Sequence, residues 1–226
     1  QLEALADIAE QFTPMQKGHI TTRENIQFHH IPLENTGTVM RILGDVGLST
    51  REACGNTVRN VTGCPEAGVA SDEPFYVSPY AAAFVRWFVR HPLTQSLPRK
   101  FKVAFASCAR DCVVTGIHDL GFIPRIVSDE NGEQRKGFRI VTGGGTSIMP
   151  RIAYTLFDFV PVEEYLKVSE AVVRIFHQCD ELRKNKARAR IKFHIDRVGI
   201  DSFRSEVEEE LKQPWAQVSF DPTPLM

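Results

Sequence analysis

Three segments of this chain carry cations in settings that suit anion chemistry. Residues 18–31, GHITTRENIQFHHI, are rich in Thr, Ile and Phe and read as a long strand. Period-two alternation puts His19, Thr21, Arg23, Asn25, Gln27 and His29 on one face. That face is almost wholly polar. It is either a solvated sheet face or a wall of hydrogen-bond donors lining an anion site. The run LPRKFKVAF places Lys100 and Lys102 on the face of Ala104, with Phe101, Val103 and Phe105 on the other. Two like charges so spaced repel unless they lie in solvent on an edge strand or an anion sits between them. In ACGNTVRNVTGCPEAG, Arg59 stands among small and amide residues, where Gly55 and Gly63 let backbone approach a ligand closely.

Arginine offers a planar fork for bidentate binding of oxyanions and carboxylates. Lysine is a point charge that gives up a proton when its neighbours disfavour the ammonium. Arg23, Arg59, Lys100 and Lys102 together suit a small oxyanion or a cofactor bearing many carboxylates.

Several elements must position these groups. Residues 2–12 pattern as a helix, and Asn35 or Thr36 caps a second one ending near Gly47. Residues 52–75 read as a functional loop, with or without a short helix. A helix follows Pro79, and residues 100–106 form a strand. DENG at 129–132 turns a hairpin over 122–142, and GGG at 143–145 makes a flexible or tightly bent loop. Helices are expected over 162–182, 186–198 and 202–212, with an extended proline-bearing tail over 213–226. Strands and helices are mixed and one hairpin is present. The fold class is therefore α/β or α+β, a mixed sheet with flanking helices.

The 226 residues are 42% apolar and 24% charged, enough for a sizeable core and incompatible with general disorder. A net charge of −1 gives no signature of a nucleic-acid partner, and no apolar run is long enough to span a membrane. The N-terminus lacks the pattern of a signal peptide. The five cysteines are no disulfide framework, so a reducing, cytoplasmic setting is expected. The chain opens on Gln1, which we read as processing or as a piece of something longer.

TTRENIQFHHI, ACGNTVRNVTGCPEAG, LPRKFKVAF and GGGTS, in this order, resemble the siroheme-dependent nitrite and sulfite reductases. The likeness runs from about residue 14 to residue 212 and is to the N-terminal half of such enzymes. It departs at Thr146, where the family commonly has leucine after the glycines. It implies the first half of a pseudo-twofold fold. Residues 1–50 would be part of a ferredoxin-like half-domain, 51–212 an α/β reductase domain, and 213–226 a tail leading to a missing C-terminal half. It also implies six-electron reduction of sulfite to sulfide or nitrite to ammonia, with ferredoxin or a flavoprotein as electron donor. Arg23, Arg59, Lys100 and Lys102 would bind the oxyanion and supply protons. With them, Gln27, His29, Asn56 and Asn60 would contact siroheme. The basic run at 183–192 matches a family segment close to the cofactor.

The family's [4Fe–4S] ligands, C-x5-C and C-x3-C, belong to the C-terminal half. Here there is no C-x5-C and a single C-x3-C, Cys108 to Cys112, whose setting resembles the pseudo-symmetric position of the second half. The resemblance therefore puts the cluster on the missing half. Two further readings stand beside it: a non-catalytic siroheme-binding module, and a small iron–sulfur protein using Cys108 and Cys112.

Overall fold

The structure is a computed structural model that describes residues 1–129, 131–218 and 221–226. Its contacts divide the chain into two units, 1–53 and 54–226. No helix among the described residues is long and apolar enough to cross a membrane.

In the first unit, α1 (Leu2–Phe12) and α2 (Thr36–Asp45) bury Ile8 against Val39 and Leu43, with Phe28 and Ile31 packed beside them. Gly47 ends α2 at φ +73, where its N–H donates to Gly44 O and that of Leu48 donates to Leu43 O. These two bonds satisfy carbonyls that the helix leaves orphaned, and the left-handed turn they need favours glycine.

The long strand expected over 18–31 is not formed. Two dipeptide strands, β1 (His19–Ile20) and β2 (Ile26–Gln27), pair antiparallel around a tight turn. Thr21 Oγ1 accepts from the N–H groups of Arg23 and Asn25 at 3.3 and 3.2 Å, and Glu24 stands at φ +59. Short polar side chains here offer the backbone an alternative to the ladder. The alternation argument therefore does not apply: Arg23 belongs to the turn.

The second unit is built on a mixed sheet. Its strands β3 (Val58–Gly63), β4 (Phe101–Phe105), β5 (Leu120–Ser128), β6 (Gln134–Thr142) and β7 (Tyr154–Pro161) lie in sequence order. β3, β4 and β5 run parallel, while β5, β6 and β7 are antiparallel neighbours. β3 lies inside the stretch expected to be loop. It is half-buried and takes its ladder from β4 alone, so a strand signal from local composition is weak. Because β4 is flanked on both sides, an edge-strand explanation for Lys102 is excluded.

Helices α3 (Ser78–Phe88), α4 (Tyr165–Gln178), α5 (Asp180–Lys184), α6 (Ile191–Val198) and α7 (Ile200–Glu210) complete this unit. Its core is aromatic. Phe105 stacks on Phe122 with centroids 4.3 Å apart, and Phe84, Phe138 and Tyr165 meet them edge-on. The buried Tyr165 hydroxyl donates to Tyr80 O at 2.8 Å, which spares it an unsatisfied polar group. The described part of 213–226 is not an extended run. It forms two 3-10 turns, Trp215 lies under Arg174, and Arg86 on α3 donates to Leu225 O and Met226 O.

Candidate functional site

β3 carries a register shift between Val58 and Val61, which sets Arg59 and Asn60 in a bulge. A bulge bends the strand and re-aims its side chains. Arg59 Nε donates to Gly55 O at 2.9 Å, at a glycine with φ +104. The neighbouring β4 starts at Phe101, opposite Val58, so Lys100 and Lys102 come up beside the bulge. The lead-in to β4 is pinned to the lead-in to β3: Leu97 N–H donates to Asn56 O and Phe101 N–H to Thr57 O.

Asp119 is the hub of this arrangement. It is fully buried just before β5, and its carboxylate accepts the backbone N–H of Lys102 at 2.7 Å. Arg190, at the start of α6, meets the same carboxylate with both fork nitrogens, Nε to Oδ1 at 2.8 Å and Nη2 to Oδ2 at 2.6 Å. Burial pushes this carboxyl up, while Arg190 and the Lys102 amide pull against it.

The glycine run closes the back of the cluster. Gly143 N–H donates to Asp119 O and Gly144 N–H to His118 O, so the loop lies on the backbone of 116–119. A Cβ on Gly144 would stand 2.3 Å from Gly116 O and 2.7 Å from His118 O, which only glycine avoids. Beyond it, the buried Lys192 donates through Nζ to Ile148 O and Met149 O, each at 2.9 Å.

The electrostatics follow from this crowding. Lys100 is pushed below the ordinary lysine value by burial, then by Arg190, Arg59 and Arg99, with Asp119 a partial offset. Lys192 is lowered in the same way by burial, Arg190 and Arg151, against Asp119 and Asp196. Asp119 is engaged by Arg190, and Asp196 pairs with Arg151 at 3.1 Å. Cations thus outnumber carboxylates in a partly desolvated place, which is the condition for attracting an anion.

The structure brings Arg59, Lys100 and Lys102 together and adds Asp119, Arg190 and Lys192. Asn60 shares the bulge with Arg59, and Asn56 is exposed at its approach. Arg23, Gln27 and His29 belong to the other unit. There Gln27 pairs with His19 across the hairpin, and the His29 ring meets that of His19 edge-on at 6.1 Å. Arg190 and Lys192 lay within the basic run already noticed. Asp119 carries a weaker signal, an acid inside the apolar run around HDLGF, which marks a buried counter-ion.

The structure describes all five cysteines. All five are free, Cys64 and Cys108 buried, Cys54 and Cys112 exposed and Cys179 intermediate. Among the described residues, no three His, Cys, Asp or Glu side chains converge to hold a metal. The Cys112 thiol is pushed up by desolvation and by Cys64, Glu66 and Cys108, with Arg110 opposing. An iron–sulfur cluster needs four ligands as a rule, so the reading of an independent iron–sulfur protein is not supported.

Fold and site thus define a mixed α/β domain that gathers cations around a buried aspartate, joined to a small helical unit. Residues 54–215 match the family described as the nitrite and sulphite reductase 4Fe-4S domain, and residues 1–46 match the nitrite/sulfite reductase ferredoxin-like half domain. The chain belongs to the nitrite and sulphite reductase family. It is 36% identical over 209 residues to a ferredoxin sulfite reductase of Mycolicibacterium paratuberculosis, covering 92% of this chain and 36% of that protein. It is 32% identical over 221 residues to an assimilatory ferredoxin-dependent nitrite reductase of Haloferax mediterranei, covering 93% and 37%. The solved structure of the NirA protein of Mycobacterium tuberculosis superposes with a TM-score of 0.83 at 36% identity, over 94% of this chain and 38% of that one. A dissimilatory sulfite reductase I shares the fold at a TM-score of 0.74 and 14% identity, over 97% and 67%. The chain spans less than two-fifths of the length of the curated relatives named here.

Proposed function

We propose that this chain provides the oxyanion-binding, proton-donating wall of a siroheme reductase that takes sulfite to sulfide or nitrite to ammonia. The carrying observation is the gathering of Arg59, Lys100 and Lys102 around the Asp119–Arg190 pair. Relatives named as sulfite and nitrite reductases support the same reading.

Siroheme, when bound, supplies the iron through which six electrons reach the substrate. Its carboxylates require cationic partners, and the donor set of this unit fits that need: Arg59, Arg190 and Lys102, with the side-chain amides of Asn56 and Asn60 as further donors. The cluster would sit on a C-terminal half, as the resemblance implies.

This chain's own groups have distinct tasks. Arg59 binds two oxygens of the oxyanion with its planar fork. Lys100 holds its proton less tightly than an ordinary lysine, so it can pass that proton to a departing oxygen. Lys102 adds charge at a backbone position held by Asp119. Each charge-assisted hydrogen bond contributes about 1.5–3 kcal/mol in such a site. The electron donor in this proposal is ferredoxin or a flavoprotein. The compartment is cytoplasmic, in keeping with five free cysteines.

The test is the reductase containing this chain, purified from a host that makes siroheme. Its visible spectrum should show the bands of an iron isobacteriochlorin, and a chemically reduced donor should drive loss of sulfite or nitrite. Arg59→Ala should retain the spectrum and lose most of the turnover. Equal kinetics in variant and parent would overturn the role of Arg59. Siroheme bands without turnover on either oxyanion would leave only a binding module.

A further inference from the structure

A second reactive constellation lies where α4, α5, α6 and α7 meet. Cys179 sits at the α4–α5 junction, half-buried, with its Sγ 3.6 Å from His194 Nδ1 on α6. The other ring nitrogen, His194 Nε2, is 2.7 Å from Glu206 Oε2 on α7. Arg197, one turn beyond His194, places Nη2 at 2.9 Å from Nδ1 and 3.6 Å from Sγ. Phe203 meets the imidazole edge-on at 5.7 Å and holds the ring plane.

The hydrogen bonds decide the tautomer. Arginine only donates, so Nδ1 must be the accepting nitrogen of the neutral ring. The ring proton then lies on Nε2 and points at the Glu206 carboxylate. The order is thiol, base, orienting carboxylate, which is the arrangement that activates a nucleophilic cysteine. A metal site is the competing reading. It fails because sulfur and carboxylate lie at opposite edges of the imidazole, and among the described residues no three such groups converge.

We infer that Cys179 is a site of oxidation by hydroperoxides, forming a cysteine sulfenic acid. Arg197 first turns its N–H from His194 Nδ1 to the sulfur, which frees the one lone pair of that nitrogen, and the thiol then passes its proton to Nδ1. The thiolate sulfur attacks one peroxide oxygen; an S–O bond forms and the O–O bond breaks. Sulfur is oxidised by two electrons and the peroxide is reduced by two. The departing oxygen takes the proton from His194 and leaves as water or an alcohol. Arg197 remains beside the new sulfenic oxygen. Thiolate character, not bare exposure, governs this chemistry.

The test sets that rule against accessibility. The folded protein is treated with hydrogen peroxide in the presence of dimedone, and each cysteine peptide is followed by mass spectrometry. Cys54 and Cys112 are the exposed thiols and serve as internal references. Cys179 should label at least about tenfold faster than either. Glu206→Gln and Arg197→Gln should each slow Cys179 severalfold and leave Cys54 and Cys112 unchanged. Labelling of Cys54 or Cys112 ahead of Cys179 in the parent protein would overturn the inference, whatever the variants do. So would an unchanged Cys179 rate in both variants.

Discussion

Arg190 and Asp119 form a two-pronged ion pair, 2.8 and 2.6 Å, around a carboxylate with no solvent exposure. The pair ties the start of α6 to the start of β5. Because Asp119 also accepts from Lys102 N–H, one carboxylate sets the position of cations from two elements. Removing one partner of such a buried pair leaves an uncompensated charge. Arg190→Met should therefore cost about 3–5 kcal/mol of stability. Denaturant unfolding measures it, and a loss below 1 kcal/mol would show that the pair is solvated like a surface bridge.

The depressed proton affinity of Lys100 predicts the pH dependence of anion binding. Folding disfavours its ammonium, so the folded chain releases this proton at a lower pH than the unfolded chain, whose ordinary value is 10.5. Stability therefore gains from this group as pH rises through the lowered value towards 10.5. A bound oxyanion favours the ammonium instead. Affinity for sulfate, which does not titrate in this range, should fall as pH climbs through that lowered value. Lys100→Arg should flatten the fall. Calorimetric titrations between neutral and alkaline pH would show it, and parallel curves for the two proteins would contradict it.

Lys100 and Lys102 should act as a coupled pair. Each Lys→Ala change is expected to weaken oxyanion binding, and the double variant to lose less than the sum, by about 0.5–3 kcal/mol. Strict additivity would mean that the two ammonium groups do not meet one ligand.

Gly144→Ala is expected to be destabilising by about 1–3 kcal/mol. The new methyl would meet two backbone carbonyls, Gly116 O and His118 O, and backbone cannot move aside as a flexible side chain can. Thermal unfolding should register the loss. Gly132→Asn, in the open turn between β5 and β6, is the control and should change little.

The mixed sheet and most helices were legible in the sequence, and Arg23, Arg59, Lys100 and Lys102 stood out there as candidate cations. Those features depend on local periodicity, and on residue types that a core tolerates only for a reason. Helix α4 shows this, since a stripe of apolar residues at helical spacing admits few other structures. The segment at 18–31 shows the limit. Its composition favours a strand, but Thr21 and Asn25 bind their own backbone and fold it into a turn. β3 shows the converse, because its partner β4 lies about forty residues on and supplies hydrogen bonds that no local pattern announces. By itself, the sequence determined which groups carry charge and which runs must be buried. The tertiary structure decided which charges share one place. Arg59, Lys100, Asp119 and Arg190 are distant in the chain, and only packing of the sheet against α6 sets one carboxylate among them. The Cys179–His194–Glu206 relay was likewise invisible in one dimension, since side-chain chemistry needs distances of about 3 Å that chain spacing does not encode.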